Sequence, residues 1–393
     1  MSMLVLDLMW MGLIAWLIAR AVVQYKSYEM ARSTGWTSAN PPPTVAVIVP
    51  ARNEELNIAR CLAGLVHQDY PQEKLRIIII DDGSTDQTTA IVRRIARLDP
   101  RIELISSPPL PAGWKGKPHA CWHASKACDA DWLCFIDADT QPLPRLIGSA
   151  VQLSIDRHVA MLSLEPFQEL GSFCERLILP AGFFLLAFSQ DLRRVNDPAQ
   201  PDALANGQFI LISREAYDAV GGHQAVHDEI CEDTALARRV KSPKRKLLVI
   251  GAEPLIHTRM YRGFSSLWEG VSKNLTEMVH GNGNAIFFGF TAIFLSLAAI
   301  LLPVWSWHIA LTQSTPAHYF AAVASSIGSL ALLGVHIGSA VYFRIPFWFG
   351  FLFPLGYLIG SALCFNSVTR RMRGQVAWKG RIYAPPATQL RTP

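Results

Sequence analysis

Two carboxylates one residue apart, Asp137 and Asp139, close the apolar run Trp132-Leu-Cys-Phe-Ile136. Such a run reads as a buried strand, and strand ends in open α/β sheets face the crevice where ligands sit. A carboxylate pair there suits a hard divalent cation that shares its remaining positions with phosphate oxygens. Other charged groups stand at comparable places. Pro50-Ala-Arg52-Asn-Glu54 follows one short apolar run, and Asp81 and Asp82 follow another. Lys115 and Lys117 lie on the loop Pro108–Pro118, where cations fit a phosphate-bearing ligand or simply solvent. Glu229, Glu232 and Asp233 open a helical stretch, Thr234–Val240. Acids there either complement the helix dipole or supply a general base. His257 falls near Arg259 and Arg262, where a diphosphate or metal contact competes with a structural role.

The elements that must position these residues alternate regularly. Val45–Val49, Leu75–Ile80, Ile102–Ile105, Trp132–Ile136 and Val159–Leu164 have the apolar character of strands. Helical patterns follow as Leu56–Leu65, with Asn53 as its expected N-cap, then Gln87–Leu98 and His119–Cys128. Strand–helix alternation predicts an α/β fold with a mainly parallel sheet covered by helices on both faces. Asn206-Gly207-Gln208 leads into a further apolar run, Phe209–Ile212.

The 393 residues are half hydrophobic and only 17% charged, and the mean hydropathy is +0.22. The apolar residues concentrate at the two ends. Leu4–Val23, Ala285–Trp307, Tyr319–Phe343 and Pro346–Phe365 each approach the roughly 20 residues that a bilayer crossing needs. The first has neither a basic leader nor a small-residue cleavage site, and reads as an uncleaved anchor. The expected division is therefore an anchor and linker over 1–43, an α/β domain over 44–284, membrane helices over 285–367 and a basic tail over 368–393. Arg20, Lys26 and Arg32 follow the first span, which places the middle domain in the cytoplasm. Four crossings would put the tail outside, against its Arg370, Arg371, Arg373, Lys379 and Arg381; a re-entrant segment or an exception to the rule is required.

Seven cysteines show no Cys-x-x-Cys pair and no zinc spacing. A net charge of +5, spread along the chain, gives no nucleic-acid footprint.

Taken in order, Pro50-Ala-Arg-Asn-Glu54, Ile77-Ile-Ile-Ile-Asp81-Asp-Gly-Ser-Thr-Asp86, Asp137-Ala-Asp139 and Glu229-Ile-Cys-Glu232-Asp233 resemble the motifs of family 2 glycosyltransferases of GT-A fold, over about Thr44–Asn274. Gly113-Trp-Lys-Gly-Lys117 and the tail Arg373–Tyr383 narrow the resemblance to membrane enzymes such as carotenoid and hopene-associated glycosyltransferases. The resemblance implies a nucleotide-sugar donor, with UDP the expected nucleotide, and a divalent cation, Mg²⁺ or Mn²⁺. It places Asp139 on the metal with Asp137 nearby and His257 as a further candidate. It places Pro50, Arg52, Glu54, Asp81, Asp82, Lys115, Lys117, Arg259 and Arg262 on the donor side. Asp233 becomes the expected base, with Glu232 its competitor, in an inverting transfer to a hydroxyl or carboxyl of a membrane lipid. Arg259-Met-Tyr-Arg262-Gly263 lacks the tryptophan of the late motif of processive members, which favours single transfers. The alternatives are a ceramide- or diacylglycerol-type glycolipid synthase, a polysaccharide synthase, and a scaffold that binds a nucleotide sugar without turnover. The implied location is a bacterial-type inner or plasma membrane; the oligomeric state is not legible.

Two further stretches carry expectations. Leu177–Phe188, broken by Pro180 and Gly182, is too short to span but long enough to lie in an interface, and Ser265–Met278 shows apolar residues at helical spacing. They read either as interfacial helices or as core helices of the α/β domain.

Overall fold

The computed structural model describes residues 2–188, 190–242, 245–374, 376–378 and 381–383. The chain divides into two compact units. One comprises Tyr28–Glu169 and Leu192–Met260; the other comprises Met1–Ser27, Leu170–Asp191 and Tyr261–Pro393.

The first unit is built on a seven-stranded sheet. In chain order its strands are β1 (Val45–Ala51), β2 (Leu75–Asp81), β3 (Ile102–Ser106), β4 (Trp132–Ile136), β6 (Met161–Glu165), β8 (Phe209–Ser213) and β9 (Leu247–Gly251). They lie side by side as β3-β2-β1-β4-β8-β6-β9. Only β8 runs against its neighbours, β4 and β6. Both faces are covered, so the central strands are continuous apolar runs rather than alternating ones. Ile77 and Ile79 pack into one core while Ile78 and Ile80 pack into the other, as a period of two requires. All four are fully buried, each worth about 1.5–3 kcal/mol of transfer free energy. Helices α2 (Ile58–Val66), α3 (Thr88–Ala96), α4 (Gly116–Lys126), α5 (Leu146–Asp156), α7 (Leu192–Asn196), α8 (Arg214–Ala219) and α9 (Glu232–Lys241) surround the sheet. A small second sheet, β5 (Thr140–Pro142), β10 (Ile256–Thr258) and β7 (Phe167–Gln168), extends the edge beyond β4.

This topology gathers the chemistry at one edge. β1, β2 and β4 are parallel, so their carboxyl ends deliver Arg52, Asp81–Asp82 and Asp137 together. Because β8 runs the other way, with Phe209 opposite Ile136, its entry loop Asn206–Gln208 comes to that same edge. One local expectation is corrected. Asn53 does not cap α2, which begins at Ile58 after Asn57. It adopts a left-handed φ of 51°, and its Oδ1 accepts from the backbone N–H of Thr85 at 2.8 Å. The loop turns sideways to meet its neighbour before the helix starts.

The second unit holds α1 (Ser2–Ser27), α6 (Phe173–Leu186), α10 (Phe264–Met278), α11 (Asn282–Gln313), α12 (Pro316–Tyr342) and α13 (Phe353–Met372). A two-stranded hairpin, β11 (Val376–Trp378) with β12 (Arg381–Tyr383), follows; Lys379 of the tail lies outside the described residues. Among the described residues, four helical stretches are long and apolar enough to cross a membrane: Leu4–Lys26, Asn282–Gln313, Pro316–Tyr342 and Phe347–Met372. Glycines let them approach closely. A Cβ on Gly328 would stand 3.0 Å from the Trp10 indole, and one on Gly356 would stand 2.4 Å from the Leu177 carbonyl oxygen. Polar side chains stitch the packing. The buried Asp7 carboxylate accepts from Ser306 Oγ at 2.7 Å, and Trp10 Nε1 donates to Ser329 Oγ at 3.2 Å.

The path after α12 is a hairpin. Pro354 does not stand at the level of either end of α11, because its carbonyl accepts from Ser296 Oγ at 2.9 Å. Phe353 stacks on His336, 4.6 Å between centroids, well before the end of α12. From there α13 runs back toward the start of α11, where Arg371 pairs with Glu277 and Ser367 Oγ bonds Thr276 Oγ1. The chain therefore doubles back through 343–352, and α13 ends on the side where α11 begins. Both α6 and α10 belong to this unit and pack on α13, with Leu177, Ile178, Leu267 and Leu363 in one cluster. A capping box starts α6: Ser172 Oγ accepts from Glu175 N at 3.3 Å, and the Glu175 carboxylate returns to Ser172 Oγ and to Gly171 N.

Candidate active site

A lysine ties the edge of the sheet together. Lys117, in the first turn of α4, places its ammonium 2.7 Å from Asp137 Oδ1 and 3.0 Å from Glu232 Oε1. Burial works against this ammonium, but Asp137, Glu232 and Asp233 outweigh it and hold its pKa well above the ordinary lysine value. Two of the site's carboxylates are thus neutralised by one charge belonging to the chain. Asp233, one residue beyond Glu232, has different partners. Its Oδ2 accepts from the backbone N–H of Gly207 at 2.8 Å and its Oδ1 from Thr234 N at 2.7 Å. Burial, and then the neighbouring Glu232 charge, push Asp233 up to about 6. Both acids occupy the first turn of α9, where the helix dipole favours negative charge.

Asp139 sits on the link from β4 to β5. Its backbone carbonyl accepts from Thr258 Oγ1 at 3.3 Å and from Arg259 N at 3.4 Å, so β10 fixes it from the far side. Among the described residues no three His, Cys, Asp or Glu side chains come together as a metal-binding group. His257 lies on β10 with its ring turned to other partners, Nδ1 3.3 Å from Glu169 Oε1 and Nε2 3.0 Å from the Glu253 carbonyl oxygen. Arg60 completes that cluster by binding both oxygens of Glu169 and Gln141 Oε1.

The first two loops form a separate platform. Arg52 Nη1 donates to the carbonyls of Asp82 and Gly83. Glu54 Oε2 accepts from Asn57 Nδ2 at 2.9 Å, while its N–H is capped by Thr88 Oγ1 at 2.8 Å. Asp81 accepts from Ser84 N, and Pro50 lies within β1 opposite Ile80. Lys115 caps α4, and its N–H donates to the His227 carbonyl at 2.7 Å. Burial lowers its pKa. Arg262 belongs to the other unit, in the turn before α10, with its N–H on Ser266 Oγ.

The structure therefore joins Lys117, Asp137, Glu232 and Asp233 in one cluster, links Asp139 to Arg259 through the backbone, and sets Arg52, Glu54, Asp81 and Asp82 in another group. Sequence reasoning did not single out Arg60 or Glu169, which hold His257, nor Thr258, which fixes Asp139. Nothing in their local sequence marks them, since each partner comes from a different part of the chain.

Residues 46–221 match the family model for glycosyl transferase family 2. The 4,4'-diaponeurosporenoate glycosyltransferase of Staphylococcus aureus strain MRSA252 is 29% identical over 262 residues, which cover 65% of this chain and 68% of that protein. Residues 46–221 are thus a glycosyl transferase family 2 domain. The fold of the chain is similar to that of the mannosyltransferase PcManGT of Pyrobaculum calidifontis, solved with GDP-Man and Mn²⁺. The TM-score is 0.51 at 18% identity, covering 92% of this chain and 99% of the mannosyltransferase. The edge that gathers the acidic cluster of this glycosyltransferase is thus the edge of a GT-A sheet.

Proposed function

We propose that this glycosyltransferase moves a sugar from a nucleotide diphosphate donor to a hydroxyl or carboxyl of a membrane lipid of the carotenoid or other polyisoprenoid class, with inversion at the sugar carbon. The observation that carries the chemistry is the division of labour between adjacent acids. Glu232 is spent on Lys117, whereas Asp233 is held by two backbone N–H groups and raised to about 6. A base with a pKa near the working pH combines the ionised state with real affinity for a proton. With a hydroxyl acceptor, Asp233 accepts its proton as the new C–O bond forms and the sugar–phosphate bond breaks on the opposite face; a carboxyl acceptor attacks as the carboxylate and transfers no proton. Lys117 keeps Asp137 and Glu232 from raising Asp233 further, and Gly207 N–H orients its carboxylate.

The donor set suits a divalent cation. Mg²⁺ is commonly held by one or two protein carboxylates, with water and phosphate filling its other positions, and Asp137 and Asp139 offer two. Asp139 would hold the ion, with Asp137 beside it. When bound, it supplies Lewis-acid stabilisation of the departing diphosphate. Arg259, joined to Asp139 through the backbone, is the candidate for a positive charge on the diphosphate, and the platform of Arg52, Glu54, Asp81 and Asp82 receives the nucleoside. The mannosyltransferase of similar fold was solved with GDP-Man and Mn²⁺, which supports a nucleotide-sugar donor and a divalent cation of this kind.

The lipid acceptor is supported by the carotenoid named for the Staphylococcus aureus relative and by the apolar unit. We read α1, α11 and α12 as three crossings and α13, with the segment before it, as re-entrant. Arg370, Arg371 and Arg373 then share the side of the α10–α11 turn, as the positive-inside rule asks of a cytoplasmic face. The test is to incubate membranes containing the enzyme with radiolabelled UDP- and GDP-sugars and polyisoprenoid acceptors. Label is expected in the lipid extract. Label recovered only in polymer or in water-soluble product refutes the reading.

A further inference from the structure

One feature beside the site has no part in the chemistry described above. Trp114, in the middle of Gly113-Trp-Lys-Gly-Lys117, is enclosed by three other rings. Its centroid lies 5.3 Å from His119, 5.4 Å from Trp122 and 5.3 Å from His227. Trp122 and His119 come from α4, while His227 follows the 3₁₀ turn Gly222–Val226 that leads to Glu229 and α9. The backbone repeats the connection, since Lys115 N–H donates to the His227 carbonyl at 2.7 Å. His119 is anchored in turn at 3.2 Å from Ser107 Oγ.

The first half of the loop is irregular. Pro108-Pro-Leu-Pro-Ala-Gly113 makes no strand or helix, and Gly113 adopts a φ of 84° with open space around it. A left-handed glycine immediately before the loop's one aromatic side chain is a natural pivot. Lys117 is three residues beyond the ring, and its ammonium reaches Asp137 and Glu232 at 2.7 and 3.0 Å. Its place at the start of α4 therefore depends on where the loop enters that helix.

We propose that Trp114 is a positioning residue for glycosyl transfer: its ring pins the Pro108–Pro118 loop to the segment that carries Glu232 and Asp233, and so fixes Lys117 between the acids. It acts through Lys117 and touches no reacting atom. The proposal rests on the reading of Lys117, Glu232 and Asp233 as parts of the transfer site. Three ring contacts, two to α4 and one to the segment leading to α9, hold the Trp114 side chain between those elements.

The test compares full-length wild type with Trp114→Ala, Trp114→Phe and Trp122→Ala, the last removing a partner ring without altering the loop. The first readout is trypsin cleavage after Lys115, followed by mass spectrometry; Lys117 precedes Pro118 and resists the protease. The second is binding of UDP and of GDP, each with Mn²⁺, by calorimetry, together with the donor KM and kcat of transfer. Trp114→Ala is expected to be cut faster at Lys115 and to raise the donor KM by about tenfold or more, since small misplacements at a site carry costs up to roughly 10²-fold. Trp114→Phe should recover most of both, and Trp122→Ala should shift both in the same direction by less. Should Trp114→Ala misfold, the Trp122→Ala and Trp114→Phe pair decides the matter by the same two readouts. Unchanged cleavage overturns the pin. Faster cleavage with unchanged binding and kinetics overturns the positioning role while leaving the transfer site intact. Wild-type protein that binds neither nucleotide overturns the reading of the site, and this inference with it.

Discussion

Replacing Asp233 by Asn tests the assignment of the base through two effects of opposite sign. The change preserves shape and removes the ability to take up the acceptor's proton, so turnover should fall by about 10²–10⁴. Wild-type kcat should rise with pH through about 6 and then level, and the residual rate of the variant should lose that step. Stability should move the other way. An acid whose folded pKa is raised from 3.8 to about 6 binds its proton more tightly in the folded state. Its favourable contribution is complete below 3.8 and is lost as the pH rises through about 6. At pH 8 the ionised carboxylate therefore costs the fold about two pKa units at 1.36 kcal/mol each, or roughly 3 kcal/mol. Asn carries no charge but offers one acceptor oxygen to the two N–H groups of Gly207 and Thr234, forfeiting about 1 kcal/mol. A net gain of about 1–2 kcal/mol at pH 8 remains, and it should vanish near pH 4. Thermal unfolding in detergent at both pH values, beside the pH profile of turnover, measures both effects. Turnover close to wild type, or a stability difference that does not change with pH, would refute the reasoning. If Glu232→Gln abolishes transfer while Asp233→Asn does not, the base is Glu232.

Asp139→Ala should abolish transfer, and EDTA should do so reversibly; full activity in chelator would remove the metal from the mechanism. Gly207→Ala places a methyl 3.0 Å from both Asp233 Oδ2 and Lys117 Nζ, and should reduce kcat by about 10–100-fold with the fold intact by circular dichroism. Lys117→Met strands Asp137 and Glu232 beside each other and should lower both the Tm and transfer, whereas a Tm at or above that of wild type would deny the lysine its neutralising role. An impermeant maleimide on intact cells should label Thr312→Cys but not Arg373→Cys, and labelling of both would make α13 a full crossing.

Much of this was legible in the chain because parallel strands buried on both faces are written as uninterrupted apolar runs, Ile77–Ile80 above all. Acids placed after such runs stand at the carboxyl edge of the sheet, and that is why the positions of Asp81, Asp137 and Asp139 could be read from the chain. Partners brought in by topology were not legible. Gly207 reaches Asp233 only because β8 runs against β4. Arg60 meets Glu169 across 109 residues, and a pairing at that separation leaves no local trace. Asn53 misled because a polar residue before a helix pattern has two uses, capping its own helix or bridging to the next loop, and local sequence does not choose between them. The C-terminal region posed a conflict of charge that hydropathy alone could not resolve. A re-entrant path depends on contacts such as Phe353 on His336, which length and composition do not encode.

The buried Asp7 carboxylate also sets a timetable. Its partner Ser306 lies 299 residues further along the chain. At synthesis rates of about 5–20 residues per second, α1 waits roughly 15–60 s in the membrane before that hydroxyl exists. Throughout that interval the carboxyl, in the second turn of α1, lacks that partner, at a cost below the roughly 2.5–3.5 kcal/mol that translocon scales give for a helix centre. α1 is thus complete well before the hydroxyl that its carboxylate binds, and that pairing is made only once α11 has been added.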